Sequence, residues 1–213
     1  MSQSVLVLGA GGHTKVLIEA LLASSAIIAG IVDPDPALAE GTILGIPVLG
    51  NDDVVRGFSP SEILLVNGLG SVGLPSKRQQ LFENFKKMGY RFATVVHPSA
   101  IVASNVELNE GAQIMAGAVI QPGSRIGRNV IVNTRSAVDH DCIIGDHVHI
   151  APGAILSGGV SIGEASHIGT GATVIQGICI GAESVIGAGA VVLTDVPSFI
   201  TVVGVPAKKM VKP

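Results

Sequence analysis

The sequence predicts an α/β module with a small parallel sheet, followed by a parallel β-helix. Three observations carry this. Over residues 1–96, short aliphatic runs alternate with helix-periodic stretches and Gly/Pro breakers, the grammar of strand–helix–strand units. Stepping by six from Val102 to Val192 meets Ile, Val or Leu at all sixteen positions. Glycine makes up 28 of 213 residues, nearly double the usual share of roughly 7%. There is no collagen-like period, so the glycines serve turns in an ordered fold.

Val5–Leu8 reads as a short aliphatic strand, and Gly9-Ala10-Gly11-Gly12 as a turn. From His13 to Leu22 the apolar residues Val16, Leu17, Ala20 and Leu21 have helical spacing. Ile27–Val32 is a second strand, stopped by Asp33-Pro34-Asp35-Pro36. Ile63–Val66 is a third, ended by Asn67-Gly68-Leu69-Gly70; Pro75–Met88 is a polar-faced helix and Phe92–Val96 a last strand. In the second unit, 97–195, one aliphatic per hexad points to the axis. A small residue two positions earlier (Ala112, Ala118, Ser124, Cys142) shares that crowded interior. Three hexads close one coil, and successive coils lie about 4.8 Å apart. Residues 196–213 leave the repeat as a tail carrying Lys208, Lys209 and Lys212. Such a tail is either a solvated end or a contact for a phosphate-bearing ligand.

Composition narrows the function classes. Hydrophobic residues are 47% and charged residues 14%, the reverse of a disordered chain. Aromatics are only 3%, with no Trp, which predicts an aliphatic core and argues against a base-stacking nucleic-acid surface. A net charge of −3 offers no general attraction to nucleic acid or anionic membrane. Mean hydropathy is high at +0.58, yet the uncharged run Ala165–Ala182 holds His167, Gln176 and several glycines and is a poor membrane span. No leader is expected from MSQSVLVLGAGG. Cys142 and Cys179 have neither metal nor disulfide spacing, so a reduced, cytoplasmic protein without metal is expected, with Cys142 facing the core.

Several residues could carry chemistry. His140 stands between Asp139 and Asp141 near a corner of the coil. A carboxylate can hold an imidazole's tautomer and raise its basicity, as a general base requires; a surface His between two acids is also commonplace. His149 and His167 each precede an inward Ile one coil apart, so they should stack in one outward column. Gly158-Gly159 allows a backbone N–H to approach a ligand, or is a plain turn. Gly9-Ala10-Gly11-Gly12-His13-Thr14 departs from the full G-x-G-x-x-G, with Thr14 at the third glycine. It still ends a strand and opens a helix, where N–H groups can hold a diphosphate in a Rossmann-like module. Asp33 ends the second strand, placed to accept from a ribose or base. A dinucleotide is the plain inference from such a loop.

The hexads of the form aliphatic-Gly resemble the hexapeptide acyltransferases, which implies a left-handed β-helix and a homotrimer. The segments Val7-Leu8-Gly9-Ala10-Gly11-Gly12-His13, His97-Pro98-Ser99-Ala100, Asp139-His140-Asp141-Cys142 and Val203–Met210 narrow this. Together they resemble the sialic acid O-acetyltransferase and bacillosamine/perosamine N-acetyltransferase family over essentially the whole chain. The resemblance implies acetyl-CoA as cosubstrate and a nucleotide-linked 4-amino-4,6-dideoxy sugar as acceptor, in surface polysaccharide biosynthesis, at sites between subunits. It implies His140 as base tuned by Asp141, where the family usually has Glu. His149 would bind or polarise the thioester carbonyl, the Gly158 amide would meet the oxyanion, and Thr170 and Ala188 would line the CoA groove. It also implies that Gly12, His13 and Thr14 hold the nucleotide-sugar diphosphate, with Asp33 and Gly68 nearby. Residues 1–96 would then bind the nucleotide-sugar, and 97–195 would carry acyl transfer. Three other readings stand beside this one: O-acetylation of a sialic acid, a three-histidine zinc enzyme of the γ-carbonic anhydrase type, and a non-catalytic nucleotide-sugar-binding partner.

Overall fold

A computed structural model describes residues 3–210. The first unit is built from β1 (Ser4–Leu8), α1 (Gly12–Ala23), β2 (Ile28–Val32), β3 (Thr42–Ile43), β4 (Ile46–Gly50), β5 (Ile63–Asn67) and α2 (Ser76–Lys87). Its sheet runs in the order β3-β4-β2-β1-β5. β1, β2, β4 and β5 are parallel, while β3 is antiparallel to β4. The expected small parallel sheet is present, and β3 adds one antiparallel edge strand to it. Leu44 and Gly45 both take positive φ, 49° and 79°, which closes a tight hairpin, and Pro47 is tolerated because the pair sits at the sheet edge.

α1 buries Leu17, Ile18, Ala20 and Leu21 on one face of the sheet. α2 covers the other face, where Phe82 and Phe85 meet Tyr90 and Phe92. The core is therefore aliphatic only in part: the few aromatic residues gather under α2.

The last expected strand of this unit, Phe92–Val96, does not form as one. Phe92 makes a single bridge to Leu65, and the chain then crosses over. Val95–Val96 pairs with Gln113–Ile114 and starts the eight-stranded face of the β-helix. At the other end Thr201–Val203 continues that face beside Val185–Ile186, and Lys208–Lys209 folds back antiparallel on it. These segments of the tail therefore extend the sheet rather than leave it. Lys212 lies outside the described residues.

The solenoid has three faces, of six, five and eight strands. Its registers are those of an eighteen-residue coil: Val132 over Ile150 over Ile168 over Ile186. These side chains are fully buried, each contributing about 1.5–3 kcal/mol of transfer free energy. The glycines directly after the inward aliphatic are steric in origin. A Cβ on Gly145 would lie 2.7 Å from the Glu164 backbone nitrogen of the next coil. Cys142 is buried, as expected.

Candidate active site

The C-terminal ends of β1 and β5 open a crevice at the sheet's switch point, where open α/β sheets take ligands. Gly68 makes this crevice possible, because a Cβ there would collide with Thr14 Oγ1 and the Leu8 carbonyl. The crevice faces the solenoid across a cleft of about 510 Å³ lined by Gly11, Gly12, His13, Gly68–Val72, Asn133, Thr134, His149 and Pro152. A second cleft of about 410 Å³ shares Ser71, Val72, His149 and Pro152 with it. It runs on past His167, Thr170 and Ala188 along successive coils.

α1 begins at the first cleft without a side-chain cap or an acidic residue in its first turn, so its leading N–H groups face the cleft as an anion site. The side chains behind this loop serve the fold. The Thr14 hydroxyl donates to the Gly9 carbonyl at 2.6 Å and lies close to that of Gly68, fully buried; its side chain staples the loop. Asp33 accepts from Ala10 N at 2.6 Å and from Asp35 N at 2.9 Å, leaving only spare lone pairs for a ligand. His13 is held by Gln113. The Gln113 amide nitrogen donates to the Asn67 carbonyl at 2.7 Å, so its oxygen must face His13 Nε2, also 2.7 Å away. Nε2 therefore carries a proton and donates it. Burial holds the imidazole's pKa below its ordinary value. His13 thus lines the cleft as a neutral ring whose Nε2–H is spent on Gln113.

His149 and His167 stack as expected, one coil apart with ring centroids 5.0 Å apart at 85°. They do not face open solvent: both are buried where the solenoid meets Ser71 and Val72. His149 is closed at both nitrogens. Nδ1 lies 3.0 Å from the Ser71 carbonyl, which only accepts, and 2.9 Å from Ser71 Oγ. Asn133 Oδ1 accepts from Thr134 N at 2.8 Å, which turns Asn133 Nδ2 toward His149 Nε2 at 3.1 Å. Nδ1 is thus the protonated nitrogen, and Nε2 accepts. Burial, with smaller contributions from His167 and the buried Arg78 guanidinium, lowers the His149 pKa to about 2. Polarising a carbonyl needs an N–H aimed at it, and the one N–H of His149 goes to Ser71.

His140 and Gly158 sit together at another corner. The turn after Ala137–Val138 carries His140, and the turn one coil on carries Gly158. The His140 ring lies where a Gly158 Cβ would be. No hydrogen bond among the described residues engages the Gly158 N–H. Nδ1 of His140 pairs with Asp141 Oδ2 at 2.9 Å, so the shorter side chain does reach. That hydrogen bond raises the pKa of the exposed imidazole above its ordinary value. None of His140, Asp141 and Gly158 lines either cleft of this protomer, and neither Lys208 nor Lys209 does.

Ser71, Gln113, Asn133 and Arg78 were missed by sequence reasoning. Gln113 and His149 do occupy equivalent positions two coils apart, each directly before an inward Ile, with Ile131 between them. That equivalence was a usable signal. Among the described residues no group of three or more His, Cys, Asp or Glu side chains is placed to hold a metal. No helix among them is long and apolar enough to cross a membrane.

Comparison with known proteins agrees with this architecture. Residues 4–85 match the PglD N-terminal domain, and residues 123–158 match the bacterial transferase hexapeptide of six repeats. The chain is 41% identical over 81 residues to GDP-perosamine N-acetyltransferase of Escherichia coli O157:H7, a match covering 38% of this chain and 37% of that relative. The structure of PerB from Caulobacter crescentus, in complex with CoA and GDP-perosamine, is 41% identical with a TM-score of 0.89, covering 97% of both chains. The acetyltransferase domain of PglB from Neisseria gonorrhoeae, in complex with acetyl coenzyme A, is 39% identical with a TM-score of 0.90, covering 99% of this chain and all of that one. A small α/β module joined to a left-handed parallel β-helix is their shared fold, and this chain belongs to the hexapeptide-repeat sugar acetyltransferase family that includes the perosamine and bacillosamine N-acetyltransferases.

Proposed function

We propose that this protein transfers acetyl from acetyl-CoA to the amine of a nucleotide-linked 4-amino-4,6-dideoxy sugar. The observation that carries this is the pair of clefts sharing Ser71, Val72, His149 and Pro152. Two ligands bound side by side would meet at that common wall. In PerB the two ligands are CoA and GDP-perosamine. The module 1–96 holds the nucleotide-sugar, with its diphosphate on the N–H groups of Gly12 and His13 and with Asp33 and Gly68 shaping the loop. The β-helix 97–195 holds acetyl-CoA along His149, Thr170 and Ala188, and 196–210 closes its end.

His140 removes a proton from the attacking amine as its nitrogen adds to the thioester carbonyl, and Asp141 holds the imidazolium that forms. The Gly158 N–H donates to the oxyanion. The tetrahedral intermediate then collapses and expels the CoA thiolate. His140 and Gly158 stand on a different corner from the clefts, which supports a homotrimer in which one protomer's base faces its neighbour's clefts. A cytoplasmic place and a role in surface polysaccharide biosynthesis follow from the use of acetyl-CoA and a nucleotide-sugar.

The test is CoA-thiol release with UDP- and GDP-linked 4-amino sugars and free and CMP-linked sialic acids. Turnover on one amino sugar is expected. Turnover only on a sialic acid would move the chemistry to oxygen, and nucleotide-sugar binding without any turnover would replace the enzyme by a binding partner. Asp141→Asn gives a second check. The base works when neutral, so kcat/KM rises with pH through a pKa that Asp141 holds above the ordinary histidine value. Removing the carboxylate lowers that pKa, so the rising limb of the profile moves to lower pH while its plateau falls. An unmoved limb would separate Asp141 from the base.

A further inference from the structure

His167 has no counterpart in the mechanism above, yet it is a buried polar residue of the solenoid, with 8% of its surface exposed. Its Nδ1 is buried without a hydrogen-bond partner. Most buried polar atoms find partners, so an orphan calls for a reason. His149, one coil earlier, has both nitrogens spent on Ser71 and Asn133. His167 lines the second cleft together with Thr170 and Ala188. Since Nδ1 is sealed off, the ring edge that meets the cleft is the opposite one, which carries Nε2.

The tautomer follows from the same enclosure. A proton on Nδ1 would bury an N–H with nothing to receive it, whereas a proton on Nε2 leaves only a lone pair inside and turns the donor to the cleft. Burial, reinforced by the Arg78 guanidinium, lowers the pKa of this ring and keeps it neutral. His167 is thus a neutral imidazole with one N–H facing the cleft, suited to an uncharged oxygen acceptor.

The geometry points to His167 as a positioning residue for the acyl donor, its Nε2–H donating to the carbonyl of the pantetheine amide nearest the thioester. This rests on the acetyl-CoA reading. The thioester belongs at the wall common to both clefts, beside His149. One coil farther along, about 4.8 Å, stands His167. An ethylene bridge separates the thioester sulfur from that amide, a matching distance. The bond forms equally with CoA and acetyl-CoA, so it acts on binding rather than on the chemical step.

The test is calorimetric titration of CoA into wild type, His167→Phe and His167→Gln, with thermal melts of each. Phe keeps a ring in the column without a donor, and Gln restores an N–H. Phe is expected to raise the Kd for CoA about 3–10-fold, as loss of one hydrogen bond does, and Gln to stay within about twofold of wild type. The KM for acetyl-CoA follows the Kd, with kcat kept. CoA binding unchanged in the Phe variant overturns the proposal. So does equal weakening in both variants, which would make the role one of packing, and so does a fall in kcat with unchanged Kd, which would put His167 on the thioester itself. Failure of the wild type to bind CoA would instead overturn the acetyl-CoA reading and this proposal with it.

Discussion

Replacing His140 by Ala is expected to lower kcat by about 10²–10⁴-fold, the range for loss of a positioned general base, with the melting temperature unchanged. The second part follows from the position of the side chain, which is 53% exposed and held by Asp141 at 2.9 Å. Truncating it removes no core contact. Single-turnover thiol release at saturating amino sugar and acetyl-CoA measures the chemical step directly. A wild-type-like rate would remove His140 from the base role. A loss of binding with normal chemistry would make it a substrate contact.

The largest effect on stability is expected from Arg78→Met. α2 carries Arg78, Phe82 and Phe85 on one face, and Arg78 is 1% exposed. Its guanidinium donates to the carbonyls of Asn129 and His147, which occupy the corner positions of two successive coils. Burial lowers its pKa to about 9, so it remains charged at neutral pH. Asn67 ties the Arg78 carbonyl at 2.9 Å to the Asn129 side chain, Asn129 reaches His147 at 3.0 Å, and His147 reaches Glu83 at 3.2 Å. Removing the guanidinium leaves two buried carbonyls without donors. The expected loss is about 3 kcal/mol, read as a fall in Tm of about 6–12 °C. Arg78→Lys should recover little of it, because an ammonium lacks the planar fork that spans two acceptors. A wild-type melting temperature for both variants would mean that the module docks through its apolar contacts alone.

The solenoid was legible in the sequence because its interior is narrow and repeats. One aliphatic per hexad is a steric demand of each coil, so it is written at every sixth position. The corner conformations follow the same period, with glycine at 153, 159 and 171 and Asn129 or Asp141 elsewhere, all at positive φ. The candidate base was legible for a similar reason, since Asp141 follows His140 directly and the pair is local. The β3–β4 hairpin was not legible, because its register is set by β2 rather than by its own short, Pro-containing strands. Arg78 was missed because charged residues usually mark a helix's wet face. Its place beside Phe82 and Phe85 at helical spacing pointed the other way.

By itself, then, the sequence determined the repeat, the coil length, the glycine loop at the head of α1 and the His140–Asp141 pair. Each rests on neighbours along the chain or on a fixed period. Only the tertiary structure decided which histidine nitrogens are free. His13 is occupied by Gln113, one hundred residues away, and His149 by Ser71, seventy-eight residues away. A hydrogen bond between such distant residues leaves no local trace, yet it fixes a proton on one ring atom and with it what the cleft can bind.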